Sequence, residues 1–254
     1  MKKYTVIPGA EPFYWEGNEI GVLISHGFMG TPQSVQFLGE ALAESGYTVF
    51  APRLKGHGTH EEDLENCHHE EWFDSLEEGY EWLKLRCTEI FVVGQSMGGT
   101  LTLKLAHKYP DIKGIMLINT ALSVPGFDYL EGKTEPRFVD EPAPDIKEKG
   151  VHEITYDKAP LTAIHQLQAL MKLAPALLPS ITVPVLCFKS IEDHVVPAEN
   201  SDYLFEQIGS SKKEMVPLFN SYHVASMDYE KEFIAKRCGQ FIKQHIPKAV
   251  TSSF

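Results

Sequence analysis

Ser96 stands between two glycines, each two residues away, in Phe91-Val92-Val93-Gly94-Gln95-Ser96-Met97-Gly98-Gly99-Thr100. A short apolar run, Ile90 to Val93, leads in, and a helix-type stretch from about Met97 to Lys108 leads out. A serine on so tight a strand-to-helix turn is held in a strained backbone, and only small residues two before and two after it avoid clashes. The turn lifts the hydroxyl off the sheet, and the helix N-terminus beneath offers free N–H groups to an anion. Those are the needs of an acyl-transfer nucleophile.

A neutral serine requires a general base, and the base requires a carboxylate to fix its tautomer and stabilise its cation. In open parallel sheets ligands sit outside the carboxyl ends of the strands, so the partners belong in loops just after strands. Ser190-Ile191-Glu192-Asp193-His194-Val195-Val196-Pro197 follows a strand ending near Phe188. Asp193 is the preferred acid, Glu192 its nearest rival, and His194 reads as a loop residue. Asn220-Ser221-Tyr222-His223-Val224 follows the last strand and offers His223 as the base, while His245 reads as a solvated histidine near the end of the last helix. An oxyanion would take one backbone N–H from Met97 and one from the loop His26-Gly27-Phe28-Met29-Gly30, at Phe28. His26 and His57 read as loop-fixing residues.

The elements that must position these groups follow from hydrophobic period. Residues 12–16 and 20–25 read as an opening pair of strands joined through Glu16-Gly17-Asn18. Thr31 and Pro32 start a helix that stops at Ser45-Gly46. Tyr47 to Ala51 is a strand, Asp63 to Cys67 and Glu70 to Leu85 are helical, and Gly114 to Ile118 is another buried-type strand. From residue 20 onward strands and helices alternate, which predicts an α/β fold with a mostly parallel central sheet flanked by helices.

Between about 121 and 170 the rhythm breaks, with Pro125, Pro136, Pro142, Pro144 and Pro160 among many charges and a helical turn of character around Thr162. Such an irregular stretch is expected to be a small inserted cap on a core formed by 1–120 and 171–254. Val183 to Phe188, Ala198 to Ile208, Glu214 to Leu218 and Tyr229 to His245 then resume strand, helix, strand and helix. The apolar cap residues divide between packing and an acyl pocket, with Ile146 the choice for a substrate contact. His152, Glu153 and Tyr156 are polar candidates for an alcohol group, Glu153 foremost because a carboxylate accepts hydrogen bonds from hydroxyls.

The 254 residues suit one large α/β domain or two small ones, and a net charge of −12 speaks against a nucleic-acid partner. The four cysteines, at 67, 87, 187 and 238, form no C-x-x-C pair, which points to free thiols in a reducing compartment. Met1-Lys2-Lys3 and the residues after it carry no apolar signal region. Leu167 to Phe188 is interrupted by Lys172 and prolines 175, 179 and 184, so no membrane-spanning segment is expected there. A cytoplasmic protein is the expectation. Cys67-His68-His69-Glu70-Glu71 lacks the spacing of a metal site, and Gly94 to Gly99 lacks a P-loop lysine, so no metal and no cofactor are expected.

The chain resembles the bacterial carboxylesterases and monoacylglycerol lipases of the serine α/β-hydrolase superfamily. The resemblance is carried by His26-Gly27-Phe28 with Gly30, Arg53-Leu54-Lys55-Gly56-His57-Gly58, Gly94-Gln95-Ser96-Met97-Gly98-Gly99, Asp193-His194-Val195-Val196-Pro197 and Ser221-Tyr222-His223. The order Ser96, Asp193, His223 is that of the superfamily. The resemblance implies an α/β-hydrolase fold and hydrolysis of short- to medium-chain carboxylic esters, with monoacylglycerols as expected substrates. An acyltransferase, a thioesterase or a carbon–carbon hydrolase would use the same three residues.

Overall fold

The computed structural model describes residues 4–246, so Met1-Lys2-Lys3 lies outside it. Strands β1 (Phe13–Trp15), β2 (Ile20–Ser25), β3 (Thr48–Ala51), β4 (Glu89–Gln95) and β5 (Gly114–Ile118) alternate with helices α1 (Gln36–Glu44), α2 (Glu61–Leu64), α3 (His69–Lys84) and α4 (Met97–Lys108). After β5 come the short strands β6 (Phe138–Asp140) and β7 (Lys158–Pro160), then α5 (Leu161–Leu177). The chain closes with β8 (Val185–Ser190), α6 (Glu199–Gln207), β9 (Lys213–Leu218) and α7 (Lys231–His245).

Among the described residues seven strands form one sheet in the order β1-β3-β2-β4-β5-β8-β9, parallel throughout except for β1. Successive side chains of a strand face opposite sides, so a strand covered on both faces is apolar at every position. Leu23, Val92, Ile115, Leu117 and Val185 pack into the core beneath α3, α4 and α5. Their neighbours Val22, Ile24, Phe91, Val93, Met116 and Leu186 pack into a second core with Leu38 and Leu42 of α1 and Ile234, Cys238 and Phe241 of α7. This is the α/β-hydrolase fold.

The opening pair of strands is a correction. β1 does not pair with β2; it lies antiparallel to β3, with Phe13 opposite Ala51. Both edges of β2 are taken by β3 and β4. Residues 16–18 instead run against the start of β3, where Asn18 N–H donates to the Gly46 carbonyl at 2.7 Å and a Cβ on Gly17 would lie 2.5 Å from that same oxygen. The expected helix at Asp63–Cys67 starts earlier, at Glu61, where the His60 Nδ1 accepts the Glu62 N–H at 3.1 Å.

The irregular stretch after β5 contains a 3-10 turn at Pro125–Leu130 and the antiparallel ribbon β6–β7. α5 is continuous from Leu161, buries Ile164, Leu167, Leu170 and Met171, and packs against α4. The expected cap boundary at 170 falls inside this helix. Tyr156, read above as a possible ligand contact, is instead an anchor. Its hydroxyl donates to the Gly56 carbonyl at 2.6 Å and accepts the Thr59 N–H at 2.7 Å, which ties the stretch between β6 and β7 to the Gly56–Thr59 loop. Among the described residues no helix is long and apolar enough to cross a membrane, and no cluster of three or more His, Cys, Asp or Glu could hold a metal ion.

Candidate active site

Ser96 sits at the junction of β4 and α4 with φ 56° and ψ −123°, a left-handed backbone that costs free energy for any residue with a Cβ. The two flanking glycines make the turn possible. A Cβ on Gly94 would meet the Gly98 carbonyl oxygen at 2.2 Å, and one on Gly98 would meet the Ser25 carbonyl oxygen at 2.4 Å. The Ser96 N–H is held by the Ile118 carbonyl at the end of β5 (2.9 Å), and Gln95 Oε1 accepts the Ser226 N–H at 3.0 Å.

The loops after β8 and β9 bring Asp193 and His223 to this turn. His223 Nε2 lies 2.8 Å from Ser96 Oγ, and His223 Nδ1 lies 2.8 Å from Asp193 Oδ2. The other oxygen of Asp193 accepts the N–H groups of Val195 (2.9 Å) and Val196 (2.8 Å), so a side chain only 2% exposed has both oxygens satisfied. With Asp193 accepting at Nδ1, that nitrogen carries the proton and Nε2 is free to accept from the serine hydroxyl. Glu192, the sequence rival, points outward at 52% exposure and pairs with Lys147 at 3.4 Å. His194 turns to Asp145, and His245 bonds back to the Phe241 carbonyl in α7.

The loop after β2 supplies the opposite wall. His26 Nδ1 donates to the Gly27 carbonyl at 3.0 Å, while its Nε2 accepts the Leu54 N–H at 3.2 Å. A trans peptide sets C=O and the following N–H in opposite directions, so fixing the Gly27 carbonyl also aims the Phe28 N–H. Burial holds the His26 pKa well below the ordinary histidine range, and the neighbouring His57 lowers it further. His57 is likewise pushed down to about 4 by burial, with its ring edge-on to Trp72 and Phe28. Both imidazoles are therefore neutral fixtures at pH 7. Met97, the first residue of α4, belongs to the turn whose N–H groups have no partner within the helix.

A cavity of roughly 680 Å³, including its open mouth, joins these groups to the cap. Gly27, Phe28, Ser96 and His223 line it from the core, and Phe127, Glu141, Asp145, Glu153 and Thr155 from the cap side. Glu153 is buried, and its Oε1 accepts from Ser34 Oγ at 2.6 Å; burial raises its pKa, partly offset by that hydrogen bond. Burial first, and the charge of Glu153 second, push Glu141 up to about 7. Ile146 is half-buried beside Asp145 and is not part of this lining, and His152 is exposed.

Three residues around the site escaped the sequence reading. Asn119, at φ 45°, donates through Nδ2 to Ser190 Oγ (2.9 Å) and the His223 carbonyl (2.9 Å), joining the ends of β5, β8 and the His223 loop. An asparagine directly after a buried strand, a residue type tolerant of left-handed backbone, was the available signal. Glu141 and Asp145 carried none, because a carboxylate among prolines and charges reads as solvated surface.

A family model described as serine aminopeptidase, S33 matches residues 18–230. The thermostable monoacylglycerol lipase of Bacillus sp. (strain H-257) is 50% identical over 246 residues, spanning 96% of this chain and 98% of its own. The carboxylesterase of Bacillus subtilis (strain 168) is 28% identical, spanning 92% and 96%. A solved structure from the metagenome-derived lipolytic enzymes LipS and LipT superposes with a TM-score of 0.92 at 43% identity, covering 95% of this chain and 100% of that one. With a fold, a strained serine turn and relatives that agree over nearly their whole lengths, the chain belongs to the serine α/β-hydrolase superfamily, in its family of carboxylesterases and monoacylglycerol lipases.

Proposed function

We propose that this ester hydrolase cleaves short- to medium-chain carboxylic esters, monoacylglycerols foremost, with Ser96 as nucleophile, His223 as general base and acid, and Asp193 as the carboxylate that orients it. The observation that carries the reading is the unbroken, buried relay from Ser96 Oγ through His223 to Asp193, 2.8 Å at each step. Such a relay lets the serine proton pass to Nε2 as Oγ attacks the ester carbonyl. The N–H groups of Phe28 and Met97 are the proposed donors to the oxyanion, each worth about 3–4 kcal/mol where such a donor has been removed. His223 then gives the proton to the departing alcohol, and takes one from a water that attacks the acyl-enzyme and releases the acid.

The monoacylglycerol preference is supported by the 50% identical lipase and by the cavity itself. Phe28, Val124, Phe127 and Leu167 form an apolar side suited to an acyl chain, while Glu141, Glu153 and Thr155 form a polar side suited to free hydroxyls. Glu153 is the proposed acceptor for the glycerol hydroxyls, since its second oxygen is not used by Ser34.

Hydrolysis of monolauroylglycerol, matched di- and triglycerides and p-nitrophenyl esters by parent and Ser96→Ala protein tests this. Expected is rapid release from the monoglyceride, weak release from bulkier glycerides, and loss of about 10⁴-fold or more in kcat in Ser96→Ala. Turnover confined to p-nitrophenyl esters would remove the monoacylglycerol assignment and leave a generic esterase. Faster transfer to added alcohols than to water would make the chain an acyltransferase.

A further inference from the structure

The loop that carries His223 is held by carboxylates at four of its backbone N–H groups. Glu230 accepts those of Phe219 (3.3 Å) and Asn220 (2.8 Å), and Asp228 accepts that of Tyr222 (2.9 Å). Both acceptors come from the segment just before α7. The next N–H, of His223 itself, ends on Asp145 Oδ2 at 3.2 Å, and Asp145 comes from the cap.

Asp145 does more than touch one loop. The same Oδ2 accepts the His194 N–H at 3.1 Å, next to Asp193 in the chain, and Oδ1 lies 2.8 Å from His194 Nδ1. Its carbonyl accepts the Val224 N–H at 3.1 Å. Asp228 completes the seam by accepting the N–H groups of Lys147 (2.7 Å) and Glu148 (2.9 Å). The strap at residues 145–148 is thereby bonded to both loops that deliver the relay, and the Asp145 side chain is only 14% exposed. Charge-assisted bonds of this kind are about twice as strong as neutral ones and are lost together if the strap lifts.

We propose that Asp145 is a positioning residue for the proton relay, a cap carboxylate that sets the spacing between the Asp193 loop and the His223 loop. The inference rests on the triad reading of Ser96, His223 and Asp193. Neither Asp193 nor His223 can drift from the other while one carboxylate holds the backbones of His194 and His223. The strap is therefore part of the catalytic framework, and any cap motion that admits substrate is confined to the residues on either side of it, 121–143 and 149–157.

Steady-state kinetics on a p-nitrophenyl ester test this with parent, Asp145→Ala, Asp145→Asn, His194→Ala and Ser96→Ala proteins, each checked for folding by near-UV circular dichroism and thermal melting. Asp145→Ala is expected to lose about 10²-fold in kcat with KM within about threefold, because a relay displaced by an ångström costs rate and not ground-state binding. Asp145→Asn keeps an oxygen that can accept both backbone N–H groups, and is expected to recover to within about tenfold of the parent. His194→Ala removes only the ring arm and is expected to fall by less than Asp145→Ala. If Asp145→Ala does not fold, the other two decide: a kcat loss of about threefold or more in Asp145→Asn at parent KM supports the proposal, and parent kcat in both overturns it.

A loss carried by KM alone, or an Asp145→Ala enzyme within about twofold of parent kcat, also overturns it. Either result beside a dead Ser96→Ala leaves the triad reading standing, whereas a parent whose turnover survives Ser96→Ala removes both.

Discussion

The two walls of the cavity are built by different physics. On the core wall, position comes from the sheet: Ser96 leaves β4, Asp193 follows β8, His223 follows β9, and the Gly27–Phe28 peptide follows β2. Backbone ladders with both faces buried leave these strand ends little freedom. On the cap wall, Glu141 and Glu153 lie in a stretch with little regular structure, and their carboxyl groups are set by side-chain bonds and burial. A wall fixed by the fold suits chemistry that tolerates no displacement; a wall fixed by side chains can change its ligand without changing the fold. Asp145 belongs to the second wall by chain position and to the first by its bonds.

Substitutions on each wall should therefore fail in different ways. The largest effect is expected at the acid. Asp193→Asn should cost about 10⁴-fold in kcat, as for a base left in the wrong tautomer, with KM and melting temperature little moved. Its sequence neighbour Glu192, exposed and paired with Lys147 and the outer edge of His194, should give a Glu192→Gln enzyme within about twofold of parent. Equal losses in the two variants would erase the distinction between a relay carboxylate and a surface one.

On the cap wall the loss should appear in recognition. Glu153→Gln keeps an oxygen for Ser34 but removes the charge, and is expected to raise KM for monolauroylglycerol by about tenfold while leaving p-nitrophenyl ester hydrolysis near parent values. A matching fall in kcat on both substrates would move Glu153 from selecting the alcohol to supporting the relay.

The remaining effect is a pH dependence of stability at Glu141. The folded protein holds this proton to about pH 7, against 4.5 for the ordinary carboxyl, so between those values the folded state binds more protons than the unfolded chain. The contribution is complete below about 4.5 and is lost as pH rises from there through about 7, by about 3 kcal/mol. Chemical denaturation of parent and Glu141→Gln from pH 4.5 to 8 should show the variant with the flatter profile. Parallel profiles would mean that Glu141 takes no part, and that the cap wall presents a single tuned carboxyl group.

Most of the core wall was legible in the sequence. The continuous apolar runs, the bracketing glycines and the strand-end placement of Asp193 and His223 are local or ordered along the chain, and local sterics write them into neighbouring residues. The partner of β1 was not legible, because edge pairing depends on which strand has a free edge in the assembled sheet. Ile146 was favoured as a ligand contact on apolarity alone, yet its neighbour Asp145 faces the cavity while Ile146 does not line it. Tyr156, one of three polar candidates for the alcohol group, bonds to Gly56 and Thr59, since a hydroxyl that both donates and accepts can serve a loop as well as a substrate.

By itself the sequence determined the alternating sheet, the strained serine turn and the three residue types of the relay with their order along the chain. Only the tertiary structure set Asp193, rather than Glu192, against the His223 ring, joined Asn119 to the His223 loop, and bound Asp145 to the loops of both. These are side-chain bonds between residues 30 to 104 positions apart. Hydrophobic period and turn chemistry act over a few residues, whereas the direction of a carboxylate is settled only when the sheet has brought its distant partners within hydrogen-bonding reach.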